Sequence, residues 1–339
     1  MPFPWQTFKE RVSRHPPKRQ VLFREGISVR RNWATFLCLT IFLYAGNGGS
    51  ARAEHQQIAK SSEPIRFGLT AVVVRENLRF LDQWAYYLSK KMGQPVKFVQ
   101  RRSYREIMDM LESGNLDFAW ICGFPYVQKR DPEFIKLLSV PVYKGNPLYH
   151  SFIIVHKDSP YQSLDDLKDK TFAYSDPESN SGYLYPQYLL TQQGTSKESF
   201  FRQTFFTYNH AETVDAVAEQ FADGGAVDSY IWEYLKEFRP EIADKTRVIN
   251  QSPAFGFPPL VSRRGVDLEM IWHMKRAIKG MNDDPNGQKF LKGLKLDGFG
   301  ESPPSLFDNI REMVLKTRGA QPQTGTAASN ANVSTATKE

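Results

Sequence analysis

The chain has 339 residues, 41% hydrophobic and 24% charged, so it can bury an extensive core and is not an intrinsically disordered polymer. Its formal charge of +7 invites a nucleic-acid reading. The nine Lys/Arg and two acids of residues 1–53 carry all of that excess, and the remainder holds 35 basic and 35 acidic residues, which removes the electrostatic case for binding a phosphate backbone.

Residues 1–53 read as an export signal. A basic stretch precedes an uncharged run from Trp33 to Ala45, thirteen residues long and short of the roughly 17–25 needed to span a bilayer. Small residues follow, and Ala51-Arg52-Ala53 has the form of a cleavage site, so cleavage is expected after Ala53 and the mature chain is expected in the periplasm. An uncleaved membrane anchor is the alternative. Only Cys122 lies beyond the leader, which excludes an intrachain disulfide there; after the apolar run Phe118–Ile121 it reads as a small buried hydrophobe.

Along the mature chain, alternation predicts a strand over 65–69 and a helix with Leu78, Leu81, Trp84, Ala85 and Leu88 on one face that ends near Gly93. A strand over 96–99, a helix over 104–113 closed by Gly114 and an apolar strand over 116–121 complete a βαβαβ unit. Residues 148–156 lead into a second set: strands over 171–174, 205–208, 225–228 and 246–250, and helices over 182–193, 211–222 (with Phe221 inward) and 229–238. Leu260-Val-Ser262 is expected to rejoin the first sheet, with helices over 268–281, 286–294 and 305–317 packed on it. The expected fold is therefore α/β with two lobes, each a doubly wound sheet, joined by two hinge strands. The limits are 64–148 with 253–318 for lobe 1, 149–252 for lobe 2, and 319–339 for a disordered tail.

Phosphate-loop, dinucleotide, zinc-protease and nucleophile-elbow signatures are all missing from the sequence. The five histidines of the mature chain show no metal-ligand spacing, and no metal or cofactor is implied. Asn282–Gly287 reads as a turn rather than a calcium loop. The informative segment is Asp176-Pro-Glu-Ser-Asn-Ser-Gly-Tyr183. It lies between a predicted strand and a predicted helix, where Ser179, Asn180 and Ser181 offer donors beside a helix start and Gly182 permits close approach. Either an ordinary helix cap or an anion site accounts for this pattern.

The sequence resembles the phosphate/phosphite/phosphonate substrate-binding proteins of ABC importers, the PhnD-like group, over about residues 65–317. The resemblance rests on Gly114–Trp120, Asp176–Pro186, His210 with Ala216-Val217 and Asp223, and Ser252-Pro253 with Pro258–Val261. It implies a type II periplasmic binding protein fold. It places the oxyanion-holding residues on Ser179, Asn180 and Ser181, binding tyrosines on Tyr104 and Tyr149, and a histidine on His210. Asn180 stands where the family has threonine. The positions that carry carboxylates for a ligand ammonium in aminoalkylphosphonate binders fall on Tyr230, also taken as a ligand-site residue, and Pro258. An amine-free ligand is expected, with Asp228 and Glu233 as nearby acids that could reverse this. The implied function is a monomeric, non-enzymatic solute-binding protein that captures a small oxyanion and delivers it to an ABC permease. The alternatives are a ligand-sensing partner of a signalling kinase and a hydrolase using Ser181 with His210.

Overall fold

The computed structural model describes residues 63–70, 78–129 and 134–319. The leader read in residues 1–53 lies outside these, as does the tail beyond Gly319, the last residue of a helix. The first sheet grows from three parallel strands, β1 (Ile65–Leu69), β2 (Val96–Gln100) and β3 (Phe118–Trp120), with β1 between the other two. Helices α1 (Leu78–Met92) and α2 (Tyr104–Glu112) connect them. Leu81, Trp84 and Leu88 of the predicted face of α1 are buried, and Ala85 is half-buried at its edge. A capping box starts α2: the Ser103 hydroxyl accepts the Glu106 N–H, and the Glu106 carboxylate accepts the Ser103 N–H. Gly114, at φ +75°, takes the left-handed turn after it.

Antiparallel strands β4 (Ile135–Val142), β12 (Leu260–Arg263) and β13 (Gly298–Gly300) widen this sheet, giving the order β13-β4-β12-β3-β1-β2. β12 rejoins the sheet as expected. β4, β13 and the short helix α3 (Gly123–Gln128) have no counterpart in the predicted set. Pro141 sits inside β4 and Pro125 inside α3, and each interrupts the local signal on which a sequence reading depends.

The second sheet has the order β10-β6-β9-β7-β8, from β6 (Ser151–His156), β7 (Thr171–Tyr174), β8 (Gln203–Phe206), β9 (Gly224–Asp228) and β10 (Thr246–Gln251). β7 runs parallel to β8 and β9, while β6 is antiparallel to both its neighbours. Helices α4 (Tyr185–Gln192), α5 (His210–Ala218) and α6 (Ser229–Phe238) belong to this half. Phe221, expected inward, is 76% exposed, because α5 ends at Ala218 and Gln220 turns the chain away at φ +60°. The chain passes between the halves along β5 (Leu148–Tyr149) and β11 (Phe255–Gly256), which pair antiparallel with Tyr149 opposite Phe255. These are the two hinge strands the sequence implies.

Of the C-terminal helices α7 (Leu268–Lys279), α8 (Pro285–Leu294) and α9 (Asp308–Gly319), the last packs against both α3 and α4 and so touches both halves. Asp284, within the segment read as a turn, caps α8 by accepting the Asn286 and Gly287 N–H groups. Buried aromatics anchor each half: Phe67, Trp84, Phe118 and Trp120 in the first, with the half-buried Phe98 packed on them, and Phe172, Tyr174 and Phe201 in the second. A fully buried side chain of this size contributes about 1.5–3 kcal/mol. A rigid core on each side leaves the segment between the sheets to position functional groups.

Candidate functional site

The segment Ser175–Leu184 is shaped by a proline. In a regular helix the Gly182 carbonyl would accept from residue 186, but Pro186 has no N–H. The start of the helix widens instead into a π-turn over Asn180–Leu184, with the Leu184 N–H reaching the Ser179 carbonyl at 2.9 Å. The released Gly182 carbonyl accepts the Ser175 N–H at 3.1 Å, folding the segment back on β7. The Ser181 carbonyl accepts the Ser151 hydroxyl of β6 at 2.7 Å. Ser179 caps the turn by accepting the Gly182 N–H at 2.9 Å. A Cβ on Gly182 would stand 2.5 Å from Ser175 Cβ and 3.1 Å from His210 Cε1, so only glycine fits there.

Residues from both halves meet this turn. Ser179, Asn180 and Ser181 are buried, as are Tyr104, Tyr149 and His210. From the first half, the Cys122 Sγ accepts the Asn180 N–H at 3.2 Å, and the Tyr104 N–H donates to Asp176 Oδ2 at 3.1 Å. His210, first residue of α5, lies with Nε2 at 3.2 Å from the Tyr104 hydroxyl and 3.5 Å from Ser179 Oγ. Asn180 Nδ2 donates to the Tyr149 hydroxyl at 2.9 Å. Tyr104, His210 and Ser179 form one linked group and Asn180 with Tyr149 a second, and Ser181 follows Asn180 in the turn.

The protonation of His210 follows from geometry. Its Nδ1 accepts the Asp228 N–H at 3.1 Å, so the ring proton of the neutral form lies on Nε2. Burial keeps the ring neutral, its pKa pushed down to about 3. Nε2–H then donates to Tyr104, whose own O–H proton is left for another acceptor. Likewise Tyr149 accepts from Asn180 and keeps its O–H to give. Burial holds both phenols well above their ordinary pKa, so both remain protonated donors. The Ser181 hydroxyl has no hydrogen-bond partner. The result is a set of uncharged O–H groups beside a helix start, an arrangement able to receive negatively charged oxygens.

Acids surround this set. Burial raises the Asp228 carboxyl to about 7 and also raises Asp176 and Glu178, the last opposed by Arg105, which pairs with it at 2.6 Å across the two halves. Asp228 also caps α6, accepting the Tyr230 N–H at 2.8 Å. Tyr230 itself is directed elsewhere: its hydroxyl donates to the Leu294 carbonyl at 2.6 Å and its ring packs on Tyr143 and Phe257. Glu233 is engaged by Lys144 at 2.5 Å and by the Tyr143 hydroxyl. The Pro258 carbonyl accepts the Trp120 indole N–H. No hydrogen bond joins Ser181 to His210 in the manner of a nucleophile and base. Among the described residues there is no group of three or more His, Cys, Asp or Glu that could hold a metal.

The sequence reading missed Cys122, whose sulfur accepts the Asn180 N–H of the π-turn as well as filling the core. The signal was its place just past the carboxyl end of β3, where open α/β sheets gather their ligands. The Arg105–Glu178 pair was also missed, and nothing at sequence level joins residues so far apart.

Comparison with known proteins agrees with this architecture. The family model for ABC transporter, phosphonate, periplasmic substrate-binding proteins matches residues 67–307. The phosphonates-binding periplasmic protein of Escherichia coli K12 is 30% identical over 273 residues, covering 78% of each chain. Among solved structures, a binding-protein component of an ABC phosphonate transporter from Pseudomonas aeruginosa superposes with a TM-score of 0.72 at 25% identity, covering 78% of this chain and 91% of that one. PhnD1 from Prochlorococcus marinus, in complex with methylphosphonate, superposes with a TM-score of 0.67 at 20% identity over 75% of this chain and 98% of its own.

Proposed function

The chain belongs to the family of periplasmic substrate-binding proteins of phosphonate ABC transporters, and we propose that it captures phosphate, phosphite or an alkylphosphonate between two lobes for delivery to an ABC importer. The carrying observation is the buried set of uncharged donors, with Tyr104 from one half, Ser179, Asn180, Ser181 and His210 from the other, and Tyr149 from the hinge. Closure of lobe 2 (149–252) on lobe 1 (64–148 with 253–318) assembles it, and opening separates its members. The protein acts as a monomer, exported through residues 1–53 with cleavage after Ala53. It performs no chemistry on its cargo: His210 already carries its proton on Nε2 and is a poor base toward Ser181.

The cargo carries no amine. Tyr230 and Pro258 are engaged by Leu294 and Trp120, Glu233 is matched by Lys144, and Asp228 is held in a helix cap. A thermal-shift titration of the mature protein tests this, since a ligand that binds only the folded state raises the melting temperature. Phosphate, phosphite or methylphosphonate should raise it at concentrations where 2-aminoethylphosphonate does not. The reverse order would overturn the amine-free reading.

A further inference from the structure

Away from the π-turn, one stripe of α6 grips the other half of the molecule. Tyr230, Glu233 and Glu237 stand at i, i+3 and i+7, so they project from one face of the helix over about 10 Å of its length. Each meets the first half. The Tyr230 hydroxyl donates to the Leu294 carbonyl at 2.6 Å, and its ring packs edge-on against Tyr143. The Glu233 carboxylate accepts the Tyr143 hydroxyl and pairs with Lys144 at 2.5 Å. Glu237 pairs with Lys295, whose ammonium also lies over the Phe238 ring at 5.8 Å.

The surface that receives this stripe is braced. Lys144 and Lys295 sit in two turns, at left-handed φ values of +51° and +54°. The turns are tied to each other: the Gly145 N–H donates to Asp297 Oδ2 at 2.7 Å, and the Asp297 N–H donates to the Val142 carbonyl at 2.8 Å. The start of α6 is joined to the donor cluster. Asp228 caps the helix through the Tyr230 N–H, and the Asp228 N–H donates to His210 Nδ1 at 3.1 Å. One helix therefore links a braced surface of the first half to the histidine of the second.

We propose that α6 is a latch: Tyr230, Glu233 and Glu237 hold lobe 2 closed on lobe 1 without touching the guest, and so set how tightly every guest is held. This rests on the two-lobed capture proposed above and goes beyond it, because part of the affinity then comes from contacts outside the donor set. The three are positioning residues. Apparent affinity scales with the fraction of protein in the closed form, and contacts made only in that form raise the fraction for all guests alike. The ion pairs are the adjustable part. Lys144 is 65% exposed and Lys295 30% exposed, so each pair changes the balance by a small factor.

Glu233→Gln with Glu237→Gln removes both ion pairs while keeping side-chain volume and an accepting oxygen at each position. The closed-to-open ratio should fall by about 2- to 30-fold, the product of two partly exposed pairs. Small-angle scattering of the ligand-free protein and calorimetry with phosphite and methylphosphonate read this together. If the ligand-free protein is mostly open, both affinities should drop by that factor with their ratio unchanged. If it is mostly closed, the radius of gyration should rise instead. Lys144→Gln with Lys295→Gln breaks the same pairs from lobe 1 and should have the same effect, and all four substitutions together should do little more than either pair. That variant also serves where the first does not fold. A folded variant with unchanged radius and unchanged affinities overturns the proposal. So does a loss confined to one ligand, which would put α6 on the guest. If neither ligand binds the unmodified protein, the capture reading falls, and a ligand-free radius equal in parent and variant then overturns the latch as well.

Discussion

Asp228 and His210 should contribute opposite slopes to stability in mild acid, and removing the Asp228 charge should leave the His210 slope unopposed. Burial raises the Asp228 carboxyl from 3.8 to about 7, so the folded state holds a proton that the unfolded chain releases. Its penalty on folding therefore grows as pH rises from about 4 to about 7. Burial lowers His210 from 6.5 to about 3, so the unfolded chain takes up a proton that the folded state refuses. That penalty grows as pH falls from about 6.5 to about 3. Between about pH 4 and 6.5 each state binds one proton of the pair, and the two slopes of about 1.4 kcal/mol per pH unit cancel. Asp228→Asn keeps the cap on Tyr230 because an amide oxygen still accepts, but it removes one slope. Its stability should therefore climb relative to the unmodified protein by on the order of 2–3 kcal/mol between about pH 4.5 and 6.5. Urea denaturation at three pH values, compared as differences so that surface acids cancel, measures this. Parallel profiles for the two proteins would refute the reasoning.

Ser181→Ala should weaken oxyanion binding by about 1–3 kcal/mol, as for a hydrogen bond to a charged group, with little loss of stability because its hydroxyl is unpartnered; calorimetry with phosphite reads it, and unchanged affinity counts against the site. Gly182→Ala should destabilise the fold by about 1–3 kcal/mol, since its Cβ would meet Ser175 at 2.5 Å; a melting temperature equal to that of the parent would contradict the packing described. Arg105 is largely exposed while Glu178 is not, so the screened pair should couple by about 0.5–1 kcal/mol in a double-mutant cycle of ligand affinity. A coupling energy indistinguishable from zero would mean that the pair does not hold the halves together.

Much of the architecture was legible because it rests on local signals. The face of α1 was written in Leu81, Trp84 and Leu88, and the end of α2 in Gly114. The return of β12 to the first sheet could be anticipated from an apolar tripeptide late in the chain. β4 and α3 escaped because proline interrupts each. Phe221 was misplaced because a periodic pattern ran past the residue where the backbone turns left-handed. At the site, the serine-rich bend announced itself by composition, whereas the tautomer of His210 and the role of Cys122 depend on partners 18 and 58 residues away. No window along the sequence contains both ends of such contacts. Tyr230 illustrates the opposite case: the resemblance names the position, but its hydroxyl donates to the Leu294 carbonyl.

The cross-strapped turn at Asn180 also bears on how cargo leaves. Tyr104 on one side and His210 on the other share a single hydrogen bond, and Cys122 and Asn180 share another. A swing that parts the halves breaks both at once and takes the phenol away from its histidine. On the reading proposed above, the guest then keeps the donors of the serine turn and His210 but loses Tyr104, and no lysine or arginine of the cluster holds it back.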